Sequence, residues 1–245
     1  MTALANESAH SAAASTTTPS ATCVLVDVRD SGVTGVRWAA DCAQSLGIAL
    51  VVHAGTGNDP AHTEVAALLA QRPDLTVHVD HADTYPPVQE GALVVLSRAR
   101  ALAAPPLAGR DLRDVVVMGG CPRALVGRFG VVTAVVERVG GEGVLQRATT
   151  LCHARGATRL RVLARPSCPR SGGWLDDAAD LVHASCRDVI VELVRDARSV
   201  AEETRLFPSD LLVVSGRERG PGEGLQPDAR AALHQASCPV LFSCS

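Results

Sequence analysis

The sequence contains no lysine and very few aromatic residues. We attribute the absence of lysine to genomic base composition, since alanine, arginine and glycine are abundant. Phenylalanine, tyrosine and tryptophan make up 2% of the chain, so its core must be built from valine, leucine and alanine. The formal net charge of −3 argues against a general nucleic-acid-binding protein, which usually carries a basic patch.

Segments that would direct the chain to a membrane or out of the cell are also missing from the sequence. No apolar stretch is long enough to span a bilayer, and the N-terminus lacks the charged start and apolar middle of a signal peptide. We therefore expect a cytoplasmic protein with neither a membrane nor a nucleic-acid partner. None of the eight cysteines forms a C-x-x-C pair, so we expect free thiols in a reducing compartment.

The familiar motifs of catalytic sites are missing as well. The sequence has no Walker loop, no Gly-x-Ser-x-Gly elbow and no His-Glu-x-x-His pair. His78 and His81 are three residues apart near a predicted strand end, which places them on opposite faces and favours exposed histidines over a metal pair. The absence of these motifs favours a protein that is not an enzyme, so we expect no catalytic residue. We also expect no bound metal other than the magnesium that accompanies a nucleotide.

Residues 22–55 carry the clearest structural pattern in the chain. An apolar run that contains Asp27 precedes a glycine loop, an amphipathic helix from Val36 that ends at Gly47, and a second apolar run at 48–52. This order predicts a βαβ unit whose parallel strands are covered on both faces. Asp27 lies at the carboxyl end of the first strand, where open α/β sheets bind their ligands.

The pattern of strands and helices then occurs a second time. Both halves end in Cys-Pro followed by apolar residues, and nearly equal spacings separate Ser97 from Cys121 and Ser215 from Cys238. An internal duplication of this kind predicts two parallel sheets with helices on both faces. One large α/β sheet of ten strands is the alternative.

The duplication also predicts where the domains begin and end. We expect residues 1–20, which lack periodicity, to form a disordered tail, and two domains to follow at 21–128 and 129–245. In the first domain, the pattern predicts a helix over 111–118 and the fifth strand over 123–126. The final strands of both halves should lie at sheet edges and pair with each other or with a second copy, because unpaired edges are a liability.

The opening unit resembles the universal stress protein family. The resemblance lies in Val26-Asp27, in the Arg-Trp-Ala-Ala segment that begins ten residues after Asp27, and in the Leu-Val-Val-His strand at 50–53. The order of elements in each half is similar to one domain of that family. The resemblance implies two doubly wound, Rossmann-like domains of the adenine nucleotide alpha hydrolase type, each with a five-stranded parallel sheet of order 3-2-1-4-5. It also implies a divergent tandem member of a stress-response family that commonly dimerises.

Some members of that family bind ATP, with an acid after the first strand and a glycine loop after the fourth strand. In the first half of this chain no glycine follows the fourth strand before Gly109, and the intervening side chains and prolines restrict the backbone that a phosphate loop needs. The resemblance assigns Asp27 to the nucleoside, Val52 to the adenine, and Ser97, Arg98 and Arg100 to the phosphates.

The second half has the glycines but lacks the family spacing. Its loop contains two glutamates, Glu218 and Glu223, close to the expected phosphate position. The resemblance assigns Glu137, Gly216, Gly220, Gly222 and Gly224 to this second site. Neither half is complete, so we expect ATP binding that is weak or absent, in a stress-response module that acts through partner proteins. An ATP-binding member of the family, or a slow nucleotide hydrolase, is the alternative.

Overall fold

The computed structural model describes residues 21–56, 60–82, 91–103, 114–136, 141–164, 180, 182–183, 187–195, 199–216 and 225–244. Within these ranges the chain forms a ten-stranded sheet with helices packed against it. The strands are β1 (Cys23–Asp27), β2 (Ala49–His53), β3 (Val77–Asp80), β4 (Leu93–Ser97), β5 (Asp114–Met118), β6 (Val131–Val136), β7 (Arg159–Ala164), β8 (Ile190–Val194), β9 (Leu211–Ser215) and β10 (Val240–Ser243). The helices are α1 (Val28–Leu46), α2 (Pro60–Ala70), α3 (Arg98–Ala103), α4 (Pro122–Leu125), α5 (Gly141–Ala154), α6 (Val200–Leu206) and α7 (Pro227–Gln235).

The strand order is β3-β2-β1-β4-β5-β10-β9-β6-β7-β8, so the second half mirrors the first. Each half is parallel throughout, and β5 and β10 pair antiparallel where the halves meet. This arrangement confirms the predicted fold class, with order 3-2-1-4-5 in each half. The two halves join in one continuous ten-stranded sheet instead of two separate sheets, but this sheet is not parallel throughout, because the strand direction reverses at the junction.

The predicted fifth strand of the first half is wrong, although the pairing of final strands is correct. The chain is a strand at Asp114–Met118, where a helix was expected, and a short helix at Pro122–Leu125, where the strand was expected. Three consecutive valines favour a strand that is buried on both faces. Pro122 suits the first turn of a helix, since its fixed φ is preorganised and its missing N–H is not needed there.

Two segments expected as loops are helical. Helix α1 begins directly after Asp27 and contains a kink at Gly32, whose φ is 59°, whereas the pattern predicted a glycine loop there. Helix α3 begins directly after Ser97, where the fourth-strand loop was expected. Alanine, arginine and leucine are strong helix formers, so this stretch continues from the strand into a helix.

Apolar side chains on the two faces of the sheet form two cores that extend across both halves. Helices α1, α2 and α5 cover one face, and their apolar side chains join those of β1, β2, β6 and β7 in one cluster. Helices α3, α6 and α7 contribute to the cluster on the other face. Because each cluster contains residues of both halves, hydrophobic burial stabilises the junction as well as each half.

Polar contacts and close backbone packing add to the antiparallel pairing at the junction. Arg147 of α5 forms an ion pair with the buried Asp114 of β5, Nε to Oδ2 at 2.5 Å. The backbone N–H of Cys121 donates to the carbonyl of Ser237 at 2.9 Å. A Cβ at Gly120, whose φ is 98°, would overlap the backbone of Ser237 and of its neighbour Cys238.

The part of the chain that the structure describes contains no helix long and apolar enough to cross a membrane. Its six cysteines carry free thiols. The predicted tail at 1–20 lies outside the described residues.

We expect Gly120→Ala to lower the free energy of unfolding by about 3 kcal/mol or more. The added methyl group would overlap the backbone of Ser237, and alanine rarely adopts the positive φ of this position. Gly156→Ala is the matched control, because Gly156 has a φ of 60° with nothing within 4 Å of its Cβ position. It should cost about 1 kcal/mol. Urea unfolding of both variants measures the difference, and equal losses would contradict the close approach at Gly120.

Candidate functional site

A row of polar residues lies at the carboxyl ends of the first three strands of the sheet. Asp27 is in register with His53, and His53 is in register with Asp80. Register neighbours in a sheet present their side chains on the same face. The carboxyl edge of the first half therefore begins with an acid, a histidine and a second acid side by side.

Asp27 is the centre of this site, and its carboxylate is 2% exposed. It caps α1 by accepting a hydrogen bond from the backbone N–H of Arg29 at 2.9 Å. The Arg29 Nε lies 3.5 Å from its Oδ1, and the Arg100 Nη1 lies 3.5 Å from its Oδ2. A buried carboxylate needs such partners. The two guanidinium groups share this one carboxylate and are about half-exposed, so they bring positive charge to the mouth of the site.

His53 is completely buried and links Arg29 to Asp80. Its Nε2 is 2.9 Å from Arg29 Nη2. A guanidinium group can only donate, so Nε2 accepts and Nδ1 carries the proton, which faces the Asp80 carboxylate at 3.4 Å. The pKa of Asp80 lies below its ordinary value, first because the backbone N–H of Ala82 donates to its carboxylate, and also because of His53. His53 thus holds Arg29 in place.

The donors at the end of β4 are already occupied by a carboxylate of the protein. Asp30 accepts from the Ser97 backbone N–H at 2.8 Å and from the Ser97 hydroxyl at 2.5 Å. The same hydroxyl accepts from the backbone N–H of Arg100 at 3.1 Å. Asp30 therefore takes the place where the resemblance expects phosphate oxygens. Both donors of Ser97 are thus bound to the Asp30 carboxylate.

The structure places Arg98 apart from this site. Its Nη2 donates to the carbonyl of Ala236, at the end of α7, at 2.7 Å. A Cβ at Gly119 would lie 2.6 Å from the same nitrogen, so Arg98 packs against backbone at the junction. The role of Arg98 toward phosphate stays a prediction.

A cavity of about 690 Å³ adjoins the site between α2, β2 and β3, and buried Val52 lines it. Most of its other lining is apolar, from Val65 and Leu69 of α2 and Val79 of β3. Gly55, with a φ of 70°, separates the cavity from Arg29, and a Cβ there would lie 2.9 Å from Arg29 Nη1. An apolar cavity beside a guanidinium group suits a flat apolar ring that carries an anionic substituent.

The site assigned to the second half lies mostly outside the described residues, because Glu137, Gly220, Gly222 and Gly224 are among those that the structure does not describe. Gly216 follows β9 directly, and its N–H donates to the carbonyl of Ser243 at 2.6 Å. Its assignment stays a prediction. Among the residues described, no group of three or more histidine, cysteine and acidic side chains is arranged to hold a metal ion.

The structure thus brings Asp27 and Ser97 to one edge, linked through Arg100, with Val52 in the wall of the neighbouring cavity. Sequence reasoning missed Arg29, Asp30 and His53. One signal could have found His53, since it ends an apolar strand at the same edge as Asp27. Arg29 and Asp30 were assigned to a loop, so the contacts of Arg29 with His53 and of Asp30 with Ser97 could not be expected.

Comparisons with known proteins identify the fold. No protein-family model matches the sequence, and no curated protein sequence matches it significantly. A universal stress protein from Archaeoglobus fulgidus DSM 4304 is similar in structure, with a TM-score of 0.60 and 8% identity over 91% of this chain and 96% of that one. A protein of Pseudomonas aeruginosa UCBPP-PA14, provisionally assigned to the universal stress proteins, has a TM-score of 0.52 and 14% identity over 91% and 93% of the two chains.

The cytoplasmic domain of a prokaryotic cation chloride cotransporter is similar as well, with a TM-score of 0.55 and 12% identity over 91% of this chain and 95% of that one. These likenesses extend through both halves of the sheet. The chain therefore has the α/β fold of universal stress proteins in a tandem arrangement.

We expect Asp27→Ala to lower the free energy of unfolding by about 2 kcal/mol, since it removes the cap of α1 and the shared partner of two arginines. Asp27→Asn keeps an oxygen for the cap and should cost about half as much. Asp74→Ala, at an exposed residue before β3, is the control and should change stability little. Thermal or urea unfolding ranks the three, and equal losses for all of them would show that Asp27 does not organise this edge.

Proposed function

We propose that this protein is a cytoplasmic stress-response module that acts through partner proteins and binds adenine nucleotides weakly or not at all. The observation that carries the proposal is the Asp30 carboxylate on the Ser97 donors. A phosphate group would have to displace this carboxylate or lie beside it, and like charges at such distances repel. A tight nucleotide site needs these donors free for the ligand.

The same edge retains features that would allow weak binding. Arg29 and Arg100 supply half-exposed positive charge, and the cavity beside Val52 is large enough for a nucleobase. We propose that the base enters this cavity while the phosphates meet the two arginines. Asp27, which is buried and paired with both arginines, has little freedom to contact a ribose, so the nucleoside loses a partner.

The comparisons support a binding or regulatory module rather than an enzyme. Two of the similar structures are described as universal stress proteins, one of them provisionally, and the third is the cytoplasmic domain of a cotransporter. A slow nucleotide hydrolase on the same scaffold is the alternative that the experiment below separates.

Isothermal titration with Mg-ATP tests the nucleotide part of the proposal. We expect a dissociation constant weaker than about 100 μM for the native sequence. Asp30→Asn removes one negative charge beside the phosphates and should strengthen binding about tenfold, which is about 1.4 kcal/mol. Asp74→Asn, a charge change at an exposed residue before β3, should leave the affinity unchanged.

A dissociation constant on the order of 1 μM or tighter, abolished by Asp27→Ala or Gly220→Val, would instead place the protein among the ATP-binding members. Release of ADP from bound ATP over hours would favour the hydrolase. If Asp30→Asn and Asp74→Asn bind ATP equally weakly, Asp30 is not the obstacle.

We also propose that the chain is an intramolecular pseudo-dimer, with domains at 21–128 and 129–245. The division falls between α4 and β6. The final strands of the two halves pair with each other, so the edge through which family members often dimerise is used within one chain. The homodimer that the resemblance also allows would need a different surface.

Sedimentation equilibrium measures the mass of the protein in solution and so tests whether the chain is a monomer. We expect a single species at the chain mass of 25.4 kDa across the micromolar range, because the fifth-strand edges are already paired. A stable species of twice that mass would show that another edge or face associates. Addition of Mg-ATP should not change the mass if partner proteins, and not a second copy, are the targets.

A further inference from the structure

Two cysteines from different halves lie next to each other at the junction. Cys121 follows β5 and Cys238 precedes β10. The Gly120 Cβ position is 2.5 Å from the Cα of Cys238. Since consecutive Cα atoms are about 3.8 Å apart, the Cα atoms of Cys121 and Cys238 lie within about 8 Å of each other. Disulfides usually join Cα atoms about 4.4–6.8 Å apart, so a backbone shift of about 1 Å brings even the largest separation allowed here close to that range.

The surroundings of the two thiols differ in a way that suits sequential oxidation. Cys121 is partly exposed and packs against the apolar cluster that contains Cys238. Cys238 is completely buried. Burial raises the pKa of the Cys238 thiol to about 12, and the nearby Cys121 adds to the rise. An oxidant therefore reaches the partly exposed Cys121 first, whereas Cys238 is protonated and must lose its proton when it reacts.

We propose that Cys121 and Cys238 are an oxidation site at which a peroxide forms a disulfide between the two halves of the sheet. The Cys121 thiolate attacks one peroxide oxygen, the O–O bond breaks, and Cys121 becomes a sulfenic acid while water or an alcohol leaves. The Cys238 sulfur then attacks the Cys121 sulfur. The S–O bond breaks, the hydroxyl leaves as water with the thiol proton, and one peroxide has oxidised two thiols.

The proposed disulfide would join covalently the two strand ends at the β5–β10 junction, where the described contacts of the reduced protein are noncovalent. In the reduced state, the β5–β10 hydrogen bonds and the Arg147–Asp114 pair connect the halves. A disulfide between Cys121 and Cys238 encloses β6 to β9 in one long loop. Closing a long loop restricts the unfolded chain strongly, so the oxidised protein should be the more stable form.

Peptide mapping of the full chain tests the proposal. The reduced native protein is treated with hydrogen peroxide, its remaining thiols are alkylated, and the digest is analysed by mass spectrometry. We expect the Cys121–Cys238 peptide pair as the main cross-link, and an increase of about 10 °C in the unfolding midpoint that reductant reverses. Cys121→Ser should abolish both effects.

Two further variants keep the result interpretable. Cys244→Ser, at another partly exposed cysteine beside the junction, should leave the cross-link intact. Cys238→Ala should leave Cys121 as a sulfenic acid that a dimedone probe captures; if this core variant fails to fold, Cys121→Ser alone decides. Sulfenic or sulfinic acid at Cys121 of the native sequence without the cross-link would overturn the proposal. So would a cross-link that forms only after unfolding in urea, or mainly between two chains.

Discussion

The antiparallel pairing of β5 with β10 is the interaction on which the rest of the structure depends. In a half with strand order 3-2-1-4-5, the fifth strand lies at an edge, yet every residue of Asp114–Met118 is buried. Left alone, this edge would expose three valines and a row of backbone donors and acceptors, which is costly and prone to aggregation. The second half supplies the missing neighbour, so neither half is expected to be stable with its fifth strand exposed.

The direction of that pairing also separates the two candidate sites. Strands within a half are parallel, so all of their carboxyl ends meet at one edge of the sheet. Because β5 and β10 run in opposite directions, the carboxyl edge of one half faces away from that of the other. Asp27 therefore ends β1 at one edge of the sheet, whereas β6, the strand that precedes Glu137 in the sequence, ends at the opposite edge.

Sequence reasoning located the opening βαβ unit, because the apolar period changes clearly from strand to helix and back between Cys23 and His53. It also located Asp27, since an acid at a strand end is conspicuous in an apolar run. It placed the fifth strand wrongly because Cys121-Pro122 was taken to match Cys238-Pro239. Proline can begin a helix as well as precede a strand, so the dipeptide alone could not distinguish the two.

The charges around Asp27 could not be predicted for a physical reason. Their positions depend on where α1 begins, which is decided by the cap at Asp27 rather than by periodicity. A helix that begins at Val28 turns Arg29 toward His53 and Asp30 toward Ser97. A loop over the same residues would have left both side chains in solvent. A difference of a few residues in a helix boundary thus decides whether the site is open or occupied by its own acid.

Ser97 and Arg98, at the end of β4 and the start of α3, both form contacts within the protein that stabilise its fold. Ser97 binds Asp30 at the carboxyl edge, whereas the next side chain crosses to the carbonyl of Ala236 in the other half. A glycine-rich phosphate loop must be free to fold around a ligand, and it offers backbone donors in place of side chains. In this protein, helix α3 follows β4 instead of such a loop. Its Arg100 pairs with Asp27, and its Arg98 donates to the carbonyl of Ala236 in the second half. Tight phosphate binding would have to break contacts that hold the fold together, and this is the physical basis of the weak binding that we propose.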